Sequence, residues 1–149
     1  MSAEKVGCKS ESKPKAAFEE IEHTADRALK IYGSDLQELL VNAAHGMNSL
    51  MVKMPPAAAT PVEKTIELEA LDAEDLLVEW LSELAFWAET EMLVFSRFEL
   101  QAVSTTGLKA TIYGNRSDQL EKHIKAVTYH NLEIVRTAEG LAATVVFDV

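Results

Sequence analysis

Apolar positions recur along this chain at two spacings, and the switches between them mark out its elements. Phe18 to Glu22 alternates loosely, and Ala28 to Tyr32 alternates with Leu29 and Ile31 on one side and Lys30 on the other, so both segments read as strands. His23-Thr24-Ala25-Asp26 lies between them. After Gly33 the period lengthens: Leu36, Leu39, Leu40, Ala43, Ala44, Met47, Leu50 and Met51 recur at helical spacing. Ser34 is placed as the N-cap of this helix with Gln37 at the third helical position, and Pro55-Pro56 stops it ahead of a loop over Met54 to Pro61. Thr65 to Ala70 then sets Ile66, Leu68 and Ala70 against Thr65, Glu67 and Glu69, a half-buried strand with a wet acidic face.

Asp72 caps a second helix that runs to about Glu91, and Asp75 adds favourable charge to its first turn. Its broad apolar face includes Trp80 and Trp87, which read as core. From Met92 the period returns to two. Phe98, Leu100 and Ala102 face one way before Thr105-Thr106-Gly107 turns the chain into Leu108, Ala110 and Ile112. Asn115 to His123 is polar and loop-like, with room for a short helix around Asp118 to Lys122. A last hairpin runs from Asn131 to Val135, turns near Glu139-Gly140 and returns along Leu141 to Phe147. Strands arriving mostly as hairpins, with two long helices, predict an α+β domain in which both helices cover one side of a mainly antiparallel sheet.

Composition adjusts this picture in three ways. A length of 149 residues suits one domain, and Met1 to Ala17, with four lysines and no apolar period, reads as a flexible tail ahead of a domain over 18–149. The formal net charge of −10 disfavours direct nucleic-acid binding, whose affinity comes mainly from neutralising phosphates. Nearly all of that excess lies in residues 62–91, where ten acids face Lys64 alone. This is a solvated strand and helix face, or a docking face for a basic partner. Cys8 is the sole cysteine, so no intrachain disulfide forms. With no secretory signal and no membrane-length apolar run, the expected location is the cytoplasm.

The common nucleotide-binding, zinc and hydrolase signatures are missing. His45 lies beside an apolar helix stripe and reads as a boundary residue; His123 and His130 match no standard metal spacing. The polar turn at His23-Thr24-Ala25-Asp26 can present several nitrogen and oxygen atoms to one point, although Thr24 and Asp26 equally suit bonding to the turn backbone. At the other end, Phe147 continues the apolar alternation, so Asp148 points the opposite way and the α-carboxylate of Val149 follows at once. Asp26, Asp148 and Val149 together would form an all-oxygen cluster suited to Ca²⁺, Mg²⁺ or Mn²⁺ rather than zinc. Spacing alone does not bring residues 26 and 148 together.

The chain resembles the archease family. The resemblance rests on Phe18-Glu19-Glu20-Ile21-Glu22-His23-Thr24-Ala25-Asp26, on Leu77-Val78-Glu79-Trp80-Leu81-Ser82-Glu83-Leu84, on Lys125-Ala126-Val127-Thr128-Tyr129-His130 and on the terminal Phe147-Asp148-Val149, in this order. It implies a compact α+β fold and a non-enzymatic protein cofactor of RtcB-type RNA ligases, which join RNA ends in tRNA splicing and repair using GTP and Mn²⁺. In that role the family promotes guanylylation of the ligase and sustains multiple turnover. An alternative role implied by the resemblance is that of a chaperone or specificity modulator of a tRNA cytosine-5 methyltransferase. By position, the family's metal-binding acids fall on Asp26 and Asp148, with the carboxylate of Val149 beside them and Ca²⁺ the first expectation. Lys125 is the partner-facing candidate, and His23 is expected to orient Asp26 or the turn rather than to bind the ion. Where the family usually continues with an apolar residue and glycine, this chain has Arg27-Ala28. Arg27 either pairs with a site carboxylate, weakening metal binding, or points into solvent.

Overall fold

The computed structural model describes residues 17–22, 27–54 and 61–149. Its elements follow in the order β1 (Phe18–Glu22), β2 (Arg27–Gly33), α1 (Leu36–Met51), β3 (Val62–Glu69), α2 (Ala73–Glu91), β4 (Leu93–Ser104), β5 (Gly107–Arg116), β6 (Ala126–Thr128), β7 (Val135–Thr137) and β8 (Gly140–Asp148). The α+β class and the antiparallel pairing agree with the sequence pattern. The strands, however, divide into two sheets. One is five-stranded, ordered β1-β2-β8-β6 with β7 also on β8, and the other is three-stranded, ordered β3-β5-β4. The tail expected over residues 1–17 lies, up to residue 16, outside the described residues.

Helix α1 bridges the two sheets, packing on β2 of the first and β4 of the second, while α2 packs on β4, β6 and α1. Each sheet turns one apolar face inward. Leu29 and Ile31 pair with Val145 and Ala143, and Leu108, Ala110 and Ile112 line the second sheet, all within one continuous core. Trp80 is fully buried there, and its indole Nε1 donates to the Leu40 carbonyl at 2.8 Å, so the core holds no orphaned indole. Trp87 is partly buried, donates to Glu83 Oε2 at 3.1 Å and lies beneath Lys64 Nζ, 4.3 Å from its ring centre.

Both helices start in the same way. Asp35, rather than Ser34, caps α1: its Oδ1 accepts from the Glu38 N–H at 2.8 Å, and Glu38 Oε1 reaches back to the Ser34 N–H at 2.6 Å. In α2, Asp72 accepts from the Asp75 N–H and Asp75 Oδ2 accepts from the Leu71 N–H. In both, a cap and the acid three residues on satisfy N–H groups that have no partner within the helix.

Other differences are local. A register shift between Leu100 and Ala102 turns Ala102 out to solvent, and Val103 takes its place opposite Leu108. Residues 118–122 form no helix; the segment instead sends Leu120 and Ile124 into the core and is tied down by N–H bonds from Ser117 to Met92 O and from Glu121 to Met51 O. The last hairpin pairs only over 135–137, so residues 131–134 are not strand.

Candidate functional site

Strand β8 organises the candidate site. It pairs with β2 along one edge, from Leu141 opposite Gly33 to Phe147 opposite Arg27. Along its other edge β7 meets its first half and β6 its last, with Ala126 opposite Asp148 and Val127 opposite Phe147. The carboxyl end of β8 is therefore held on both sides. The two-residue period of the strand then decides which way each side chain points: Phe147 is fully buried in the core, and Asp148 is exposed on the opposite face, as the alternation predicts. Val149 packs partly against the core.

Lys125 enters the same end of the sheet. Its backbone N–H donates to the Asp148 carbonyl at 2.7 Å, extending the β6–β8 ladder by one bond. Its side chain is exposed. Among the described residues, neither the Lys125 ammonium nor the Asp148 side-chain carboxylate has a hydrogen-bond or ion-pair partner. In this they differ from the acids of the helix caps, which accept from backbone N–H groups.

His23, Thr24 and Asp26 lie outside the described residues. The strand ends that bracket them are described: Glu22 pairs with Arg27, and Arg27 pairs in turn with Phe147, the residue before Asp148. The register therefore brings both attachment points of that segment to the end of the sheet that carries Asp148 and Lys125. Sequence spacing alone does not place these two strand ends together. Among the described residues no three His, Cys, Asp or Glu side chains gather into a metal-binding group. Asp148 offers carboxylate oxygen donors, the chemistry that hard cations prefer.

Among the described residues, Arg27 meets Glu20 rather than extending freely into solvent. It shares the inward face with Leu29 and Phe147, opposite to Asp148, and its Nε lies 3.2 Å from Glu20 Oε2 with its side chain one-third exposed. The contact is ionic without an aligned hydrogen bond, since Nε is buried with no such partner. Glu20, not a described site carboxylate, is the partner.

The histidines take separate parts. His45 sits edge-on to Phe98 with ring centroids 5.1 Å apart, and partial burial lowers its pKa. His123 Nδ1 lies 3.0 Å from Glu89 Oε1, tying the 117–125 segment to the end of α2. His130 is exposed beyond β6.

One pair was not legible in the sequence. The hydroxyl of Tyr129 donates to Asp75 Oδ1 in the first turn of α2, and nearby the Ile134 N–H donates to Glu74 Oε2 at 2.9 Å. The bond from Tyr129, then the N–H of Leu71, hold the Asp75 carboxyl below its ordinary range. The same bond to Asp75, aided by partial burial and by the charges of Asp75, Glu79 and Asp72, pushes Tyr129 up to about 12.

Fold and register together define a small α+β protein in which Asp148 and Lys125, both exposed, lie at one end of the five-stranded sheet. Residues 18–149 match the Archease protein family (MTH1598/TM1083), and the chain belongs to that family. It is 35% identical over 140 residues to a protein archease of Methanosarcina mazei, covering 89% of this chain and 95% of that one. A protein archease of Archaeoglobus fulgidus is 33% identical over 133 residues, covering 87% and 96%. The fold is similar to the solution structure of Methanobacterium thermoautotrophicum protein 1598, with a TM-score of 0.72, 32% identity, and coverage of 89% of this chain and 99% of that one. It is also similar to the crystal structure of a Thermotoga maritima archease described as a possible chaperone, with a TM-score of 0.63, 27% identity, and coverage of 95% and 100%. No helix among the described residues is long and apolar enough to cross a membrane.

Proposed function

We propose that this protein is a non-enzymatic activator of an RtcB-type RNA ligase and acts on it through the carboxyl end of β8. The observation that carries this reading is the convergence of Asp148, Lys125 and both ends of the His23–Asp26 segment on one end of the five-stranded sheet, with the Asp148 carboxylate and the Lys125 ammonium uncommitted among the described residues. Asp26, Asp148 and the Val149 carboxylate would hold a divalent cation, Ca²⁺ first, with Mg²⁺ and Mn²⁺ also suited to an all-oxygen set. A cation there would supply a fixed positive charge at the docking surface, of the kind that nucleotidyl transfer uses to offset developing negative charge. The reactive groups and the GTP site belong to the ligase. What this chain contributes is position: β2 and β6 hold the last residues of β8 on both sides, Phe147 anchors them in the core, and the Lys125 backbone bonds to Asp148 while its ammonium is exposed at the same end of the sheet. The Thermotoga relative's description as a possible chaperone fits a protein that acts on another protein.

The test is multiple-turnover ligation by the RtcB-type ligase of the same organism, with GTP and Mn²⁺. Addition of this protein is expected to raise the yield above one product per ligase, and Asp148→Ala to abolish that gain while staying folded. Full stimulation by folded Asp148→Ala would overturn the role of the site; no effect on a demonstrably active ligase would overturn the function. A second reading, modulation of a tRNA cytosine-5 methyltransferase, is favoured by Glu63, Glu67 and Glu69 on β3 and Asp72, Glu79 and Glu89 at and along α2, all of which face solvent. Under it, reversing several of these charges abolishes binding to the methyltransferase whereas Asp148→Ala binds normally.

A further inference from the structure

Alongside the candidate site the surface changes character. Between the outer side of α2 and the 124–127 segment runs a groove of about 410 Å³, floored by Ala85, Ile124 and Val127. Phe86 stands on its rim with 55% of its surface exposed, and Tyr129, equally exposed, stands beyond β6 against the first turn of the same helix. A large aromatic left in water on the rim of an apolar floor, with a second exposed one against the first turn of the same helix, is unusual for a surface that nothing covers. Phe86 is also held in place, edge-on to Trp87 with centroids 5.6 Å apart, while Trp87 is in turn fixed by Glu83 and Lys64. A rigid aromatic loses little conformational entropy on being covered, which is the character of an interface anchor.

Charge identifies the occupant. Glu79 and Glu89 are exposed on the stripe of α2 that carries Phe86, and Asp72, Asp75 and Glu79 all act on the Tyr129 hydroxyl. Among the described residues lining the groove, Lys125 at the opposite rim is the one basic side chain set against these acids, and His123 nearby is paired with Glu89. A nucleic acid or another acidic surface would be repelled along the α2 side, and so would a second copy of this acidic chain. We propose that the groove between α2 and β6 docks a segment of a protein partner that bears an apolar side chain for the Phe86 pocket and arginine or lysine residues for the Glu79 side. The groove proposal leans on the accessory-protein reading only for who the partner is.

Two measurements separate the two ideas. In the first, the full chain carrying ¹⁵N and ¹³C-methyl labels is titrated with two twelve-residue probe peptides of equal leucine and tryptophan content, one with arginine and one with glutamate at the polar positions. The arginine peptide is expected to shift the methyl signals of Ala85, Ile124 and Val127 saturably. The glutamate peptide is expected to bind at least 10-fold more weakly, and Phe86→Ala, or Glu79→Lys with Glu89→Lys, to weaken the arginine peptide by a similar factor in a chain whose remaining spectrum is unchanged. No saturable shift at these methyls, equal binding of both peptides, the same shifts from a short single-stranded RNA, or concentration-dependent shifts without any peptide would each overturn the proposal, the last two in favour of RNA or a second copy. In the second measurement, Phe86→Ala is expected to raise the concentration giving half-maximal ligase stimulation about 10-fold with the plateau kept, whereas Asp148→Ala lowers the plateau. A wild-type chain that binds the arginine peptide in the groove but leaves an active ligase unstimulated would overturn the activator function and keep the groove; a Phe86→Ala chain with unchanged half-maximal concentration would overturn the groove and keep the function.

Discussion

Gly114 shows how little room the second sheet leaves. A Cβ at this position would fall 2.3 Å from the Val94 carbonyl oxygen and 2.6 Å from Phe95 Cα, both backbone atoms that no rotamer change can move aside. Gly114 pairs with Phe95 on one side and Val62 on the other, next to the register shift between Phe95 and Arg97. The strands approach closely there because the position has no side chain. Gly114→Ala is therefore expected to destabilise the fold by about 1–3 kcal/mol through overpacking, read as a lower urea midpoint with unchanged slope. An unchanged midpoint would show that β4 can give way at its bulge. At the same scale, Arg27 illustrates what strand parity decides. Two residues from Leu29 and opposite Phe147, it is committed to the inner face, so it cannot share a side of the sheet with Asp148.

At the scale of the elements, the tie between Tyr129 and Asp75 fastens the segment after β6 to the start of α2. Its contribution depends on pH at both extremes. Tyr129 is raised from 10.0 to about 12, so its contribution is complete below pH 10 and is lost as the pH climbs through about 12. Asp75 is lowered from 3.8, so its contribution is present above that value and is lost as the pH falls through the lowered folded value. Tyr129→Phe is expected to remove the alkaline dependence and the Tyr129 share of the acid one, the Leu71 bond to Asp75 remaining: the stability gap between wild type and variant, followed by tryptophan fluorescence in urea, should close as the pH climbs from 10 through about 12 and as it falls below 3.8. A gap that is constant across the whole range would show that the bond adds nothing to stability.

What the sequence disclosed at this scale follows from how much signal each element carries. Helices α1 and α2 have long apolar stripes, and β2, β5 and β8 alternate over enough residues to be read directly. The cap of α1 was misplaced by one residue because Ser34 and Asp35 are both good caps, and only the reach of Glu38 back to Ser34 distinguishes them. Strand β6 has three residues and one buried side chain, Val127, so no period can form. Leu120 and Ile124 are isolated apolar residues in a polar stretch, and their burial depends on tertiary ties that local pattern does not encode. For the candidate site, the outward direction of Asp148 was legible from parity, and Lys125 and Asp26 were nominated by family resemblance. The meeting of the start of β2 with the end of β8 was not legible, because strand order is a property of the whole sheet.

At the scale of the molecule, separation into two sheets follows from the helices. Each helix needs an apolar surface against its stripe, and α1 finds one on both β2 and β4, which a single sheet on one side could not offer. The acids that dominate the net charge are placed on the outer face of β3 and along α2, where water solvates them and the core is spared. Asp148 follows the same logic, and its removal should cost the apo fold no more than about 0.5 kcal/mol, as for other exposed positions. If the proposed cation is held there, Ca²⁺ at about 100 times its dissociation constant should stabilise the wild-type chain by about 2.7 kcal/mol, seen as a higher melting temperature. Asp148→Ala should lose that shift. An equal shift in the variant would place the ion elsewhere.

The pairing of residues 27–33 with 141–147 sets the order in which this molecule can come into being. The β1–β2 hairpin emerges early, yet the edge of β2 that receives β8 stays open until the far end of the domain has been synthesised. At ribosomal rates of about 5–20 residues per second, that edge waits roughly 5–20 s with its hydrogen-bonding groups unpaired. Local helices form long before then, and the slow step is the closing of this distant ladder. Asp148 reaches Lys125 only when β8 docks. The site thus cannot be displayed by a half-made chain, and its appearance on the surface certifies that the five-stranded sheet is complete.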